Sequence, residues 1–252
     1  MIRVILHGCN GRMGRVITQM IEEEPEMMIV AGVDPFADVP HPFPVFGRIA
    51  DCSVPADVII DFATASAADD LMDYAVEKQI PVILCTTGLS EAQIAKLNDC
   101  AGKVAILRSA NMSLGVNLLM KLVQEAAAVL YEAGFDIEIV EKHHNQKLDA
   151  PSGTAIALAE AAKKALPEEM ENVYDRSQVR KKRARNDIGF AAIRGGTITG
   201  EHDVIFAGRD EVVTLSHTAY SRAVFAKGAV SAAKYLAGKP AGLYQMSDVV
   251  GV

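Results

Sequence analysis

The stretch EKHHNQKLDAPSGTA (residues 141–155) gathers more acid–base chemistry than any other short segment of the chain. Two adjacent histidines, His143 and His144, stand close before Lys147. An imidazole and an ammonium can each deliver a proton near neutral pH when burial or neighbouring charge tunes them. Pro151 and Ser152 then signal a helix start, whose first N–H groups, around Gly153 and Thr154, lack partners within the helix. Such a start is a receptor for a carboxylate. The residue types suit His143 and Lys147 as proton donors and His144, Gly153 and Thr154 as holders of a small anionic substrate. Taken alone, the same stretch also fits a solvated polar loop ahead of a capped helix.

A second constellation opens the chain. Gly8, Cys9, Asn10, Gly11, Arg12, Met13 and Gly14 follow a β-rich run at 2–6, and Met13, Val16, Ile17, Met20 and Ile21 then share one helix face. The glycine spacing is not that of the commonest dinucleotide fingerprint, but the setting is: strand, glycine turn, helix, and an acid, Asp34, twenty residues beyond Gly14. Small residues let a backbone approach a pyrophosphate, whose charge meets the positive end of the helix. Asp34 would accept hydrogen bonds from the adenosine ribose. A carboxylate there disfavours a 2′-phosphate and Pro35 supplies no cation, so the reading leans to NADH, with Arg12 and Arg15 the candidates for tolerating NADPH. Two further turns, Cys85-Thr86-Thr87-Gly88 and Ser109-Ala110-Asn111-Met112, follow strand-like runs at 82–84 and 104–107. Both would lie on the strand-end edge where such sheets bind ligands, with Asn111 offering an amide to a nicotinamide.

The elements that must position these residues are legible in outline. Strand-like runs at 2–6, 28–33, 58–60, 82–84 and 104–107 alternate with helical patterns, notably 66–77 and 91–98, as βαβ units on a parallel sheet do. The pattern changes near 113. A helix at 116–133, a strand at 135–140, a polar turn at 141–152 and a helix from 153 to about 165 precede three strand-like runs at 188–194, 201–207 and 211–217. A helix at 224–236 closes the pattern. The expected fold is α/β: a Rossmann-like doubly wound parallel sheet (1–113 plus 222–252, dinucleotide-binding) with a second α+β domain on a mixed or antiparallel sheet (114–221, substrate binding and oligomerisation). The 252 residues carry a formal net charge of −7, so neither nucleic acid nor an anionic membrane is an expected partner. Four scattered cysteines form no CxxC pair, which argues for free thiols over a zinc site or a disulfide framework. The opening apolar run is too short for a secretory or membrane segment, and a cytoplasmic location is expected.

These motifs resemble dihydrodipicolinate reductases along nearly the whole chain. The resemblance rests on GCNGRMG at 8–14, IDF at 60–62, CTTG at 85–88, SANMSLGVN at 109–117 and, above all, EKHHNQKLDAPSGTA. GFAAIRGGTITGEH (189–202) and SHTAYSRAVFAKGA (216–229) extend it. It implies that His143 and Lys147 supply protons, and that His144, Lys147, Gly153 and Thr154 hold a cyclic dicarboxylate. Residues 8–13, Asp34, 85–87 and 109–112 would contact NADH or NADPH. The implied reaction reduces 4-hydroxy-tetrahydrodipicolinate to tetrahydrodipicolinate with loss of water, in a homotetramer without metal. Cys85 stands where the family commonly has glycine, and the basic run Arg180–Arg185 departs from its usual loop. That run reads as a solvated face, or as a mobile loop bringing an arginine to an anion. Two rival readings are a dehydrogenase of an amino-acid semialdehyde, separable by turnover on open-chain aldehydes, and a non-catalytic NADH sensor, which would not need His143 or Lys147.

Overall fold

The computed structural model describes residues 1–36 and 39–251; Val252, the end of the first domain as delimited above, lies outside the described residues. In chain order the strands are β1 (Ile2–His7), β2 (Met27–Val33), β3 (Val45–Phe46), β4 (Val58–Asp61), β5 (Val82–Leu84), β6 (Ala105–Leu107), β7 (Asp136–His143), β8 (Glu171–Val173), β9 (Asp187–Arg194), β10 (Gly200–Ala207), β11 (Val212–Ala219) and β12 (Gly242–Tyr244). The helices are α1 (Arg12–Glu22), α2 (Ala68–Lys78), α3 (Glu91–Ala101), α4 (Leu114–Leu130), α5 (Gly153–Lys163), α6 (Ala223–Leu236) and α7 (Met246–Val250). Met1–Ser113 with Ala223–Gly251 form one unit, and Leu114–Arg222 form the other.

In the first unit, seven strands run parallel in the order β12-β6-β5-β4-β1-β2-β3. Strands covered on both faces read as continuous apolar runs, and Val4, Ile5, Leu6, Ile59, Ile60 and Ile83 are all fully buried. Helix α1 buries Gly14, Ile17 and Ile21, while Met13, Val16 and Met20 of the apolar face read from the sequence are half-buried. A capping box fixes the start of α3: Gln93 N–H donates to Ser90 Oγ (3.2 Å) and Ser90 N–H to Gln93 Oε1 (3.0 Å).

The second unit is a mixed five-stranded sheet, β11-β10-β7-β9-β8, in which β7, β9 and β8 are mutually parallel and β10 and β11 antiparallel. Helices α4 and α5 supply Leu119, Val123, Leu158 and Ala162 to a core shared with Ile137, Ile139, Val204 and Phe206. The polar turn expected at 141–152 begins later than its composition suggests, because β7 continues through His143. Glu141 and His143 keep the inward alternation of Ile137 and Ile139, and their burial is offset by charge and hydrogen-bond partners described below. The basic run is only in part a solvated face. Arg180, Lys181 and Lys182 are exposed, whereas Arg183 pairs with Asp136 and donates to Asp187 O (2.6 Å), and Arg185 lies over the Tyr131 ring at 4.7 Å. All four cysteines are free. Among the described residues, no helix is long and apolar enough to cross a membrane, and no cluster of His, Cys, Asp and Glu is gathered for a metal.

Candidate active site

In the first unit the strand order reverses between β1 and β4, the switch point at which open parallel sheets take ligands. A cavity of about 510 Å³ opens there, and Gly8, Asn10, Gly11 and Asp34 line it. Gly8 adopts φ +81°, a conformation that favours glycine. Gly14 is required for closeness: a Cβ there would fall onto the carbonyl oxygens of Gly8 and Cys9, 2.5 Å from the latter. Gly11 caps α1 without any side-chain bond, and no acid stands in the first turn. The helix therefore presents free N–H groups and its positive end to an anion.

Asp34 is 6% exposed at the end of β2. Its Oδ2 accepts the Asn10 N–H (3.1 Å) and its Oδ1 the Phe36 N–H (3.0 Å), which fixes the carboxylate and leaves lone pairs for a ribose. Asn10 in turn donates through Nδ2 to Phe36 O (2.7 Å) and meets His41 Nε2 at 2.6 Å. Cys9 is fully buried, so any part it takes is through its backbone. Arg12 is exposed and Met13 half-buried, both outside the cavity lining.

Cys85, Thr86 and Thr87 follow β5, and Ser109, Ala110, Asn111 and Met112 follow β6, on the same sheet edge but not in the cavity wall. Thr86 Oγ1 donates to buried Asp61 Oδ2 (2.6 Å), and Cys85 N–H donates to Asp61 O (3.0 Å). His7 Nδ1 lies 2.8 Å from Asp61 Oδ1, off the line of a hydrogen bond. Asp61 thus braces the turn after β5. Burial, reinforced by the Asp61 charge, pushes the Cys85 thiol far up, so it is an inert thiol. Asn111 Oδ1 accepts the Ser113 N–H (2.8 Å) and shapes the turn after β6.

The residues present fit a dinucleotide. An uncapped helix start, a close-approach glycine turn and a buried strand-end carboxylate line one cavity of suitable size.

In the second unit, His143 ends β7 with its Nδ1 2.5 Å from Glu141 Oε2. The carboxylate fixes the tautomer with hydrogen on Nδ1, which leaves Nε2 as the atom that exchanges a proton. Arg194, at the end of β9, grips Glu141 with both terminal guanidinium nitrogens (2.8 and 2.7 Å) and also donates to Asp149 O (2.7 Å). Ser152 N–H donates to Glu141 Oε1 (3.1 Å), while Ser152 Oγ accepts the Ala155 N–H (3.2 Å) as N-cap of α5. Glu141 therefore ties the His143 imidazole to the helix start. Burial would raise its carboxyl, but hydrogen bonds from Arg194 and His143 outweigh that and hold it below the ordinary range. Burial lowers His143, and the Glu141 carboxylate offsets this only in part.

His202, from β10, stands edge-on to His143 with ring centroids 5.1 Å apart, its Nε2 2.9 Å from Ser152 Oγ. Burial, with His143 nearby, takes His202 down to about 4, so it is a neutral packing partner. Lys147 Nζ donates to both oxygens of Asp149 (2.7 and 2.8 Å), and this pairing holds the Asp149 carboxyl below its usual range. Any other anion brought to that ammonium must compete with Asp149. Gly153, where an added Cβ would meet open space, and Thr154 begin α5 beside Ser152. His144 has a buried Nδ1 with no hydrogen-bond partner among the described residues. Residue reading alone missed Glu141, Arg194 and His202 in the second unit, and Arg48 and Phe36 in the cavity of the first. Only Glu141 carried a signal, as an acid two positions before a histidine, directly after a strand-like run.

A doubly wound sheet with this cavity, and a second unit carrying a carboxylate-braced imidazole, define a nicotinamide-dependent oxidoreductase. Residues 2–112 match the family "Dihydrodipicolinate reductase, N-terminus" and residues 115–250 match "Dihydrodipicolinate reductase, C-terminus". The chain belongs to the dihydrodipicolinate reductase family. It is 52% identical over 250 residues to the 4-hydroxy-tetrahydrodipicolinate reductase of Caldanaerobacter subterraneus subsp. tengcongensis, covering 99% of this chain and 98% of that one. The reductase of the same name from Clostridium novyi is 48% identical, with the same coverage. Among solved structures, a dipicolinate-bound dihydrodipicolinate reductase from Paenisporosarcina sp. TG-14 shares the fold at a TM-score of 0.81, with 24% identity and 97% of each chain covered.

Proposed function

We infer that the chain reduces 4-hydroxy-tetrahydrodipicolinate to tetrahydrodipicolinate with NADH or NADPH, in diaminopimelate and lysine biosynthesis. The observation that carries this reading is the fold of residues 141–155: one segment brings a braced imidazole, a lysine and a helix start into the second unit of a chain of this family. Per turnover, one substrate, one reduced cofactor and one proton yield tetrahydrodipicolinate, oxidised cofactor and water. The bound nicotinamide supplies the hydride, to ring carbon four.

The chain's own residues bind, orient and move protons. Gly8, Asn10 and Gly11, with the start of α1, receive the pyrophosphate, and Asp34 takes the ribose hydroxyls; residues 85–87 and 109–112 serve the nicotinamide end. Phe36, 74% exposed in the cavity wall, offers a flat face to adenine. Asp34 followed by Pro35 favours NADH. The N–H groups of Gly153 and Thr154, with His144 and Lys147, hold the two substrate carboxylates, and their charge favours the protonated form of the neighbouring imidazole. His143 Nε2 and Lys147 Nζ are the proton-delivering atoms, and Glu141 holds the imidazole in line. The enzyme works in the cytoplasm as a homotetramer built through the second-unit sheet. The sheet face turned away from α4 and α5 supports this, since it carries Val140, Ala191, Ile193, Ile205 and Val212.

The test is oxidation of NADH, then NADPH, with freshly generated 4-hydroxy-tetrahydrodipicolinate, repeated with His143→Ala and Lys147→Ala. Each substitution is expected to lower turnover by roughly 10²- to 10⁴-fold, the scale of a lost proton donor. Unchanged turnover in both variants removes the assigned roles. Cofactor binding without any turnover of the parent chain discards the substrate.

A further inference from the structure

We propose that Arg48 receives the 2′-phosphate of NADPH, so that one cavity serves both reduced dinucleotides. The proposal rests on reading that cavity as the cofactor site. Asp34 alone predicts exclusion of a phosphorylated ribose, and the two cations nearest in sequence do not answer it. Neither Arg12 nor Arg15 lines the cavity, and Arg15 Nε is turned to the Asn10 carbonyl (3.2 Å).

Arg48 reaches the same wall from elsewhere in the chain. Strand β3 pairs with the end of β2, Val33 opposite Phe46, and the Asp34 N–H donates to Phe46 O (2.9 Å). Gly47 and Arg48 therefore leave β3 beside the carboxylate, and among the described residues lining the cavity Arg48 is the only Lys or Arg. Its side chain is 70% exposed, and its one ion-pair partner among the described residues is Asp70, 3.9 Å away and itself 62% exposed. So open a pair holds a guanidinium weakly. The side chain is free to swing onto a phosphate, whose oxygens match its planar fork of donors. Asp34 already accepts two backbone N–H bonds, which blunts its repulsion of a neighbouring anion. With NADH, Arg48 stays with Asp70 and Asp34 binds the ribose hydroxyls; with NADPH, Arg48 leaves Asp70 for the phosphate.

The experiment is calorimetric titration of the full chain with 2′,5′-ADP and, separately, ADP, which needs no substrate. Arg48→Met is expected to weaken 2′,5′-ADP roughly 10- to 100-fold, the worth of hydrogen bonds to a charged group. ADP should change by less than about twofold, as for an exposed side chain without a contact to that ligand. Asp70→Asn should tighten 2′,5′-ADP and leave ADP alone. Equal weakening of both ligands by Arg48→Met, or none, overturns the proposal. Unchanged or weaker 2′,5′-ADP binding in Asp70→Asn overturns the exchange of partners. If neither nucleotide binds the parent chain, the cavity is not the cofactor's, and the reading beneath the proposal falls with it.

Discussion

His143 sits between opposing influences. Burial disfavours its charged form, Glu141 favours it, and Lys147, Arg194 and His202 add positive or potentially positive neighbours from the following loop, β9 and β10. The net position is below the ordinary imidazole value, so as pH rises the imidazolium of the free enzyme is lost at lower pH than an ordinary imidazole would lose it. kcat/KM, which reports free-enzyme groups, should fall with it. Glu141→Gln removes the one influence that raises His143, and this limb is expected to move to lower pH. Turnover at pH 7 should then drop by about tenfold for each pH unit that the limb moves. A limb that stays in place would mean that Glu141 only supports the fold. His143 and Lys147 were legible in the sequence because their chemistry is carried by residue type. Arg194 was not, since it lies 53 positions from Glu141 and becomes its partner only because β7 and β9 run parallel with His143 opposite Arg194.

At the scale of elements, the cavity proposed for the cofactor depends on how tightly α1 can start behind β1. Gly14→Ala places a methyl against the Gly8 and Cys9 carbonyls, which are backbone and cannot rotate away. Helix α1 must then shift, carrying its free N–H groups off the phosphate position. Binding of ADP is expected to weaken by at least tenfold, the scale of one lost charge-assisted bond. Gly102→Ala, outside the cavity lining and meeting only the Asp99 carbonyl at 3.4 Å, serves as the control. Calorimetry reads both, and retained binding in Gly14→Ala would show that the turn does not set phosphate access. The long apolar strands and amphipathic helices of this unit were readable because each carries its own periodicity. Strands β3 and β12, of two and three residues, carry none and exist by pairing to β2 and β6. Arg48 went unnoticed for the same reason, because its place beside Asp34 is made by β3.

For the molecule as a whole, the second unit buries imidazoles where its core meets its chemistry, and that choice sets its response to acid. His202 is 4% exposed and titrates at about 4 in the folded chain, against an ordinary value of 6.5. His143 and His217 are lowered as well, each with burial the leading cause. A base whose folded value is depressed binds its proton later than the unfolded chain does, so unfolding takes up protons between the two values. The stability contributed by neutral His202 is fully present above 6.5 and is lost as pH falls towards 4. The gap amounts to about 3 kcal/mol. Depressed carboxylates such as Glu141 and Asp187 lose their contribution lower, from their ordinary values of 4.5 and 3.8 downwards. In the window between 6.5 and 4.5 the acid response is therefore governed by the histidines, and below 4.5 the carboxylates join them. His202→Gln keeps a hydrogen-bonding group near Ser152 and removes the titration. Urea midpoints taken across that window should fall steeply with acid in the parent chain, and the variant should lose roughly one proton from the slope. An identical slope in the two would mean that water reaches His202 well enough to solvate its charge, and that the core around Ser152 and His143 is more open than its packing indicates.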